Sequence, residues 1–480
     1  MIAAPLPLLL LLGADPVRDL AAAVERRVAA AESAGAVVGL EVRSLDSGEV
    51  LFARRAGAPL SAASNTKLVT TAAALLLLPP DFHFETRFET RGKVVGGALR
   101  GDLLARGGGD PCLSPRFFEG DFARIFAPLS ERLREQGIGR IEGDLLLDDR
   151  LFDRQFVHPS WPREQLNQAY APAVSALALN EGCVDVTVTP GKAGESASIA
   201  LFPPGAPYAI EGRVATVAGK GKTLVHLAFS ERGALRVRGE IAAGARPYAA
   251  RVPVPDPPRF FGEVLREALR GRGIELAGSV RDCSEAEAVS PGWTTIHAIR
   301  SPLPPLLAFV NKRSDNFGAE HLLKTLGARS GGGGSWEAGI RAVRALLASR
   351  GIPLEGFAME DGSGLSRGDR FPPSFLAALL ESMWRGERRD DFLRTMAAPG
   401  EEGTTLERRL REEPFPRRVR AKTGYLSRVR ALSGYARTRG EENLAFTILV
   451  SEEGKGSSGA VRELPDDLVR LLVDFARGGG

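Results

Sequence analysis

Residues 64–75 read Ser64-Asn65-Thr66-Lys67-Leu68-Val69-Thr70-Thr71-Ala72-Ala73-Ala74-Leu75. The apolar run that follows the polar tetrad continues to Leu78, and Pro79-Pro80 stops it. The stretch from Leu60 to Leu78 therefore reads as a loop leading into a buried helix. On a helix, residues i and i+3 share a face. Ser64 and Lys67 thus project into one cleft if the helix begins at or just before Ser64. A serine hydroxyl is a poor nucleophile until a neighbouring base takes its proton. The identity of the candidate base matters, because lysine is scarce: of 63 basic residues, 9 are Lys and 54 are Arg. Arginine stays protonated, whereas lysine can lose its proton and act as a base.

Two further motifs lie downstream in order. Ser314-Asp315-Asn316 falls between helical patterns, after Pro304-Pro305 and before Ala319 to Leu326. A loop there can aim a second hydroxyl and an amide into a cleft: Ser314 to pass a proton to a leaving amine, Asn316 to bind a substrate amide and hold Lys67. Taken alone, the same triplet is an ordinary capping loop, since Ser, Asp and Asn all favour helix starts. Lys422-Thr423-Gly424 ends a strand-like run. Thr423 is suited to a carboxylate, Lys422 supplies positive potential, and Gly424 lets a backbone approach closely. Tyr425 can offer its backbone N–H to an oxyanion, with the N–H of Ser64 as the second donor.

The rest of the composition narrows the classes. A chain of 480 residues with 44% hydrophobic and 25% charged content suggests two to four globular domains. Net charge is only +4 with dispersed Arg, and no Lys/Arg block carries interleaved aromatics, which argues against a nucleic-acid partner. Cys112, Cys183 and Cys283 lack C-x-x-C spacing, and His83, His158, His226, His297 and His321 lack H-x-x-x-H, so no metal and no cofactor is implied. One disulfide with one Cys left over is open. No G-x-S-x-G occurs, which sets a Ser-His-Asp scheme aside. Residues 1–14 (MIAAPLPLLLLLGA) resemble a short signal peptide without the positive n-region, too short to span a bilayer.

Along the chain, Val17, Leu20, Val24 and Val28 have helical spacing behind an Asp15-Pro16 start. Val38, Leu40 and Val42 alternate with Gly39, Glu41 and Arg43; a turn at Asp46-Ser47-Gly48 then returns the chain through Val50 to Phe52, a hairpin by pattern. From about 85 to 290, glycines and short β-type runs dominate. Helical patterns return at 303–326, 336–350 and 373–384. Three strand candidates follow at 419–422, 431–438 and 444–450, and a last helix at 465–477. The expected arrangement is a signal peptide at 1–14 and a catalytic domain built from 15–85 and 291–480. Between these lies an inserted β-rich part at 86–290, with a nested domain about 170–250. The insert is read as separate from the helical catalytic core, and the Gly331–Gly334 run as a flexible helix–helix connection.

The ordered set S-x-x-K, S-D-N, K-T-G resembles the active-site signature of serine acyl-transfer enzymes acting on D-alanyl peptides or β-lactams. The chain is similar to the low-molecular-mass, class C penicillin-binding proteins. The likeness also covers Gly101-Asp102-Leu103, Gly107–Pro111, Gly143-Asp144 with Asp148, and Ser160-Trp161-Pro162. It continues through Tyr170-Ala171-Pro172, Asp361–Arg367 (DGSGLSR), Gly403–Leu406 and Ala431–Tyr435. That family carries accessory domains between its first two motifs, and here 250 positions separate Ser64 from Ser314 against 108 from Ser314 to Lys422.

The resemblance implies an α+β transpeptidase-like fold, an antiparallel sheet with helices, carrying a large β-rich insertion. It implies a serine D-Ala-D-Ala carboxypeptidase with endopeptidase activity on peptidoglycan, exported to the periplasm or beyond. It makes Ser64, Lys67, Ser314, Asn316 and Lys422 catalytic. It places Thr423, Gly424, Tyr425 and Arg367 at the substrate, and makes stem peptides ending in D-Ala-D-Ala and β-lactams the partners. The family often has an acidic residue after Trp-Pro to meet a stem-peptide amine; Gln165 falls near that place. A β-lactamase or D-amino-acid esterase on the same fold, and a non-catalytic cell-wall binding protein, are the alternatives.

Overall fold

The computed structural model describes residues 15–219, 223–452 and 459–477; the expected signal peptide lies outside them. Helix α1 (Pro16–Ser33) begins where Asp15 accepts hydrogen bonds from the N–H groups of Val17 and Arg18, an N-cap with proline in the first turn. The hairpin β1 (Ala36–Ser44) and β2 (Val50–Arg54) follows, and a 3-10 turn (Ala63–Asn65) runs into α2 (Thr66–Leu77).

The chain then leaves the first sheet. β3 (His83–Val95) and β4 (Ala98–Arg106) form a hairpin, with α3 (Ala123–Glu135) and β5 (Leu145–Asp148) beyond it. Nested deeper are β6 (Cys183–Thr189), β7 (Ser198–Phe202), β8 (Ile210–Val217), β9 (Leu224–Phe229), β10 (Leu235–Ala242) and β11 (Tyr248–Pro253). They make two three-stranded sheets, ordered β11-β6-β7 and β8-β10-β9. After α4 (Pro257–Arg270), β12 (Thr294–Pro302) pairs antiparallel with β3, from His83 opposite Pro302 to Thr90 opposite Thr294. This pair closes the excursion at its base and brings the chain back beside its point of departure.

Helices α5 (Leu303–Lys312), α6 (Asn316–Arg329), α7 (Trp336–Ser349) and α8 (Pro373–Arg385) come next. The last strands are β13 (Val419–Leu426), β14 (Val429–Arg437) and β15 (Asn443–Glu452), and α9 (Gly459–Asp474) ends the described chain. β1 pairs with β15 along its whole length, Ala36 opposite Glu452 through Ser44 opposite Leu444. The resulting antiparallel sheet, ordered β13-β14-β15-β1-β2, is built from both ends of the sequence.

The alternation in β1 predicts one face toward solvent, but the strand is buried on both faces. Val38, Leu40 and Val42 pack with Leu20, Val24 and Val28 of α1 and with Leu468 and Leu472 of α9. The polar face is covered by α8, where Arg43 pairs with both Glu41 and Glu381. Hydrophobic period alone does not reveal such covering, because a paired charge satisfies a buried face as well as solvent does.

The sequence-based separation of the insert from the helical core also needs correction. Phe152, Trp161, Ala171, Val174 and Ala176 join the same core as Leu68 and Val69 of α2 and Leu322 of α6. The reason is polar as well as apolar, since the Trp161 indole N–H donates to Asp361 at 2.9 Å. The Gly331–Gly334 connection is not merely slack: a Cβ on Gly334 would stand 2.1 Å from the carbonyl oxygen of Leu151. Cys112, Cys183 and Cys283 are each buried and free, so the open disulfide does not form among them.

Candidate active site

Ser64 sits in the 3-10 turn, one step before α2. Ala63 ahead of it is held in the left-handed region, at φ 47°, a conformation that costs a non-glycine residue about 1–2 kcal/mol. The turn is clamped from outside. A Cβ on Gly364, itself at φ +80°, would stand 1.9 Å from the Ala63 carbonyl oxygen. Only glycine lets the DGSGLSR loop lie so close to the turn that carries Ser64.

Lys67 is fully buried in the first turn of α2. Its Nζ lies 3.0 Å from Ser64 Oγ, 2.7 Å from Asn316 Oδ1 and 2.7 Å from the carbonyl oxygen of Ser363. An ammonium has three donors, and three acceptors surround it. A neutral amine has two donors and one lone pair; with Asn316 and Ser363 taking the donors, the lone pair faces the Ser64 hydroxyl. Burial pushes the amine down from 10.5 to about 8, against the opposing pull of Asp361, Glu320, Asp315 and Asp369.

The Ser-Asp-Asn triplet divides its labour. Asp315 caps α6 by accepting from the Gly318 N–H at 2.6 Å, and burial raises its carboxyl to about 6. Asn316, the first residue of α6, accepts from Lys67 through Oδ1 and donates through Nδ2 to the Tyr170 carbonyl at 2.6 Å. Ser314 stands at φ 61°, and its hydroxyl accepts from Lys422 Nζ at 2.9 Å. That amine also donates to the Thr423 carbonyl at 2.8 Å. Lys422 is fully buried and forms no ion pair among the described residues. Burial first, and then the nearby Lys67 charge, push its amine well below the usual lysine range. Lys422 therefore has an amine and two neutral acceptors, and lacks an anion.

Around Gly424 the Cβ side is filled by the protein. An added Cβ would meet the Ala62 carbonyl oxygen at 2.8 Å and Asn65 Nδ2 at 2.9 Å. The glycine expected to admit a substrate backbone is thus required on that side by the turn that carries Ser64. Thr423 is nearly buried beside it. Tyr425 is 68% exposed, and its ring lies against the guanidinium of Arg430, its cross-strand partner, at 4.2 Å. Arg367 is exposed and makes no hydrogen bond or ion pair among the described residues; its loop reaches Lys67 through the carbonyl of Ser363, four residues earlier. Gln165 is half-buried, and the exposed carboxylate after Trp161-Pro162 is Glu164.

With this geometry in view, the comparisons with known proteins become informative. Residues 20–472 match the D-Ala-D-Ala carboxypeptidase 3 (S13) family. The chain belongs to the S13 family. It is 32% identical over 460 residues to the D-alanyl-D-alanine carboxypeptidase of Actinomadura sp. strain R39, covering 92% of this chain and 82% of that one. It is 27% identical over 430 residues to the D-alanyl-D-alanine carboxypeptidase of Haemophilus influenzae, covering 88% and 87%. The fold superposes on the crystal structure of penicillin-binding protein 4 of Haemophilus influenzae with a TM-score of 0.80, at 24% identity over 95% of this chain and 99% of that one. The α+β penicillin-binding-protein fold is therefore that of this S13 peptidase, a serine-peptidase hydrolase.

In this S13 chain the structure adds groups for which motif reading assigns no role. Asp361 accepts from the N–H groups of Ser363, Gly364 and Ser366 and from the Trp161 indole, and so shapes the loop that presents the Ser363 carbonyl to Lys67. Glu320 accepts from the Gly362 N–H and is also fully buried. The signal for Glu320 was present: a carboxylate one helical turn after Asn316 and one before Lys324, on the same face of α6. Lys324, a third fully buried lysine, pairs with Asp153.

Proposed function

We propose that this S13 carboxypeptidase removes the terminal D-Ala from peptidoglycan stem peptides through an acyl-enzyme on Ser64. The observation that carries this reading is the Lys67 amine, buried and bonded to Asn316 and Ser363 with its third direction toward Ser64 Oγ. Lys67 takes the Ser64 proton as Oγ bonds to the penultimate carbonyl carbon. The N–H groups of Ser64 and Tyr425 receive the oxyanion. The C–N bond then breaks, and the leaving amine takes a proton from Ser314, whose hydroxyl is recharged by the proton that Lys67 took from Ser64; Lys67 is thereby neutral again, and Lys422 keeps its charge while holding the Ser314 hydroxyl. Water, deprotonated by Lys67, attacks the ester and frees Ser64.

The substrate's terminal carboxylate supplies the anion that Lys422 lacks, with Thr423 beside it, and Arg367 meets the substrate farther out. The two amines near each other favour an arrangement in which Lys67 stays neutral while Lys422 is charged by that carboxylate. β-Lactams acylate the same serine; a crystal structure of the Haemophilus influenzae protein holds a β-lactam. A second activity is cleavage of D,D cross-links, in which the leaving amine belongs to a neighbouring stem. The substrate places the enzyme outside the cytoplasm, with residues 1–14 as the export signal. None of the described helices is long and apolar enough to cross a membrane.

The test is labelling with a fluorescent penicillin, wild type against Ser64→Ala, together with D-Ala release from stem-peptide mimics. The expected result is labelling that needs Ser64, slow loss of the label, and D-Ala release. Labelling that persists in Ser64→Ala overturns the nucleophile; rapid turnover of penicillin without D-Ala release makes the protein a β-lactamase.

A further inference from the structure

Behind Lys67, away from Ser64, lies a buried acidic cluster whose parts come from three elements. Glu320 belongs to α6, one turn after Asn316. Asp361 and Asp369 belong to the loop and turn between α7 and α8. All three side chains are fully buried. Glu320 Oε2 accepts from the Gly362 N–H at 2.9 Å and from the Trp336 indole N–H at 2.8 Å. The next carbonyl after Gly362, that of Ser363, is the one that accepts from Lys67. The Gly362 carbonyl is held in turn by Thr70 Oγ1 at 2.7 Å, from α2. No side chain could intervene at this point, because a Cβ on Gly362 would stand 2.6 Å from the Ala319 carbonyl oxygen. One helix thus reaches the lysine twice, directly through Asn316 and indirectly through Glu320, which holds the loop at Gly362, one residue before the Ser363 carbonyl.

We propose that Glu320 is a positioning residue for Lys67: it holds the Gly362 N–H in the loop whose next carbonyl, that of Ser363, orients the amine, and in its ionised form its negative charge biases that amine toward the protonated form. The inference rests on the reading of Lys67 as the base. Glu320 Oε1 is buried without a hydrogen-bond partner, which is costly for an ionised carboxylate and tolerable for a protonated one. Burial, and then the Asp361 charge, raise the Glu320 carboxyl to about 8, beside a lysine lowered to about 8. The two groups do not touch and no proton need pass directly between them. Their coupling is electrostatic: ionised Glu320 favours the ammonium, and protonated Glu320 favours the free amine that can take a serine proton.

The other charges facing this cluster are few. Asp369 accepts from the N–H groups of Glu360 and Asp361, and burial with the Asp361 charge holds it well above the usual carboxylate range. Lys324 lies one turn farther along α6, paired with Asp153 and 3.8 Å from the centre of the Trp336 ring. His158 meets the other side of that ring edge-on at 4.9 Å, and burial lowers its imidazole. Asp315 caps the same helix. Asp361 holds the Ser363 and Gly364 N–H groups from within the loop, and Glu320 is the member of the set that ties the loop, at Gly362, to the helix that carries Asn316.

The experiment is the pH dependence of acylation by a fluorescent penicillin, from pH 5.5 to 10, in wild type, Glu320→Gln and Glu320→Ala. Glutamine keeps an oxygen for Gly362 and Trp336 and removes the charge. It should leave acylation at pH 6 within twofold of wild type, where the carboxyl is already protonated, and move the upper part of the rising limb to lower pH, with the plateau within threefold. Alanine removes the grip as well, and should lower the plateau at least tenfold. A Glu320→Gln profile that coincides with wild type overturns the charge coupling. Equal loss in both variants, in proportion to lost thermal stability, overturns the positioning role and leaves a structural one. If Glu320→Ala does not fold, Trp336→Phe, which removes the indole donor together with part of a buried ring, takes its place and should shift the profile by more than its loss of thermal stability accounts for. Failure of Lys67 as the base is seen separately, as undiminished acylation in Lys67→Arg.

Discussion

Replacing Lys67 by arginine keeps the positive charge and removes the ability to shed it. Burial lowers the Lys67 amine from 10.5 to about 8. At pH 7 a group of that pKa is neutral in roughly one molecule in eleven, against roughly one in three thousand for an unshifted lysine, a gain of about 300-fold in available base. An arginine at or above 12.5 is neutral in only about three molecules per million at that pH. If acylation follows the free-base fraction, Lys67→Arg loses about 3 × 10⁴-fold, or ~6 kcal/mol of barrier. The larger guanidinium must also fit where three acceptors already lie within 3.0 Å of the amine, so the loss can only grow. The sign with pH follows from the same shift. The neutral amine is the active form, so wild-type acylation rises through about pH 8 and levels above it. Stopped-flow acylation by a fluorescent penicillin measures both, with circular dichroism to show that the variant is folded. Acylation of Lys67→Arg within tenfold of wild type, or a flat wild-type profile between pH 6 and 9, refutes the assignment.

Lys422→Arg should leave a weakened enzyme, with KM for a D-Ala-D-Ala peptide raised about tenfold, because the charge survives and its reach to Ser314 does not; steady-state kinetics on stem-peptide mimics check this. Gly424→Ala places a methyl 2.8 Å from the Ala62 carbonyl oxygen. It should displace the turn that carries Ser64, lowering acylation by about tenfold and stability by roughly 1–3 kcal/mol, read from labelling rate and urea unfolding. Arg251→Ala removes a partly buried guanidinium bonded to Glu181 and Asp185 in the inserted module. It should cost about 2 kcal/mol on urea unfolding, while penicillin acylation stays unchanged.

The parts of the site that were legible in the sequence are those where chemistry demands a residue type at a fixed spacing. Ser64 and Lys67 are three apart because one helical turn must carry both. Ser314 and Asn316 flank the capping Asp315, whose own preference for a helix start marks the loop. What was not legible belongs to groups that act through backbone atoms or through a distant partner. The Ser363 and Tyr170 carbonyls leave no mark on their side chains, and any residue can supply them. Asp361 and Glu320 look like ordinary charges until the fold buries them. Gly424 shows the opposite error: its type was read correctly as a need for space, but one neighbour using that space is the protein's own turn. In β1 the alternation marked the hairpin, and what it left unread is that α8 brings Glu381 over the polar face.

The sequence by itself determined the three motifs, their order and the long interruption between the first and the second. Local spacing encodes these, and spacing survives without knowledge of the fold. The tertiary structure alone decided that Ala36–Ser44 lies against Leu444–Glu452, which brings the chain's two ends together and sets Lys422 and Lys67 in one cleft. It alone decided, too, how each amine behaves. Proton affinity depends on burial and on the charges within a few ångströms, and those neighbours come from α2, α6, β13 and the 361–369 loop, separated by hundreds of positions in the chain.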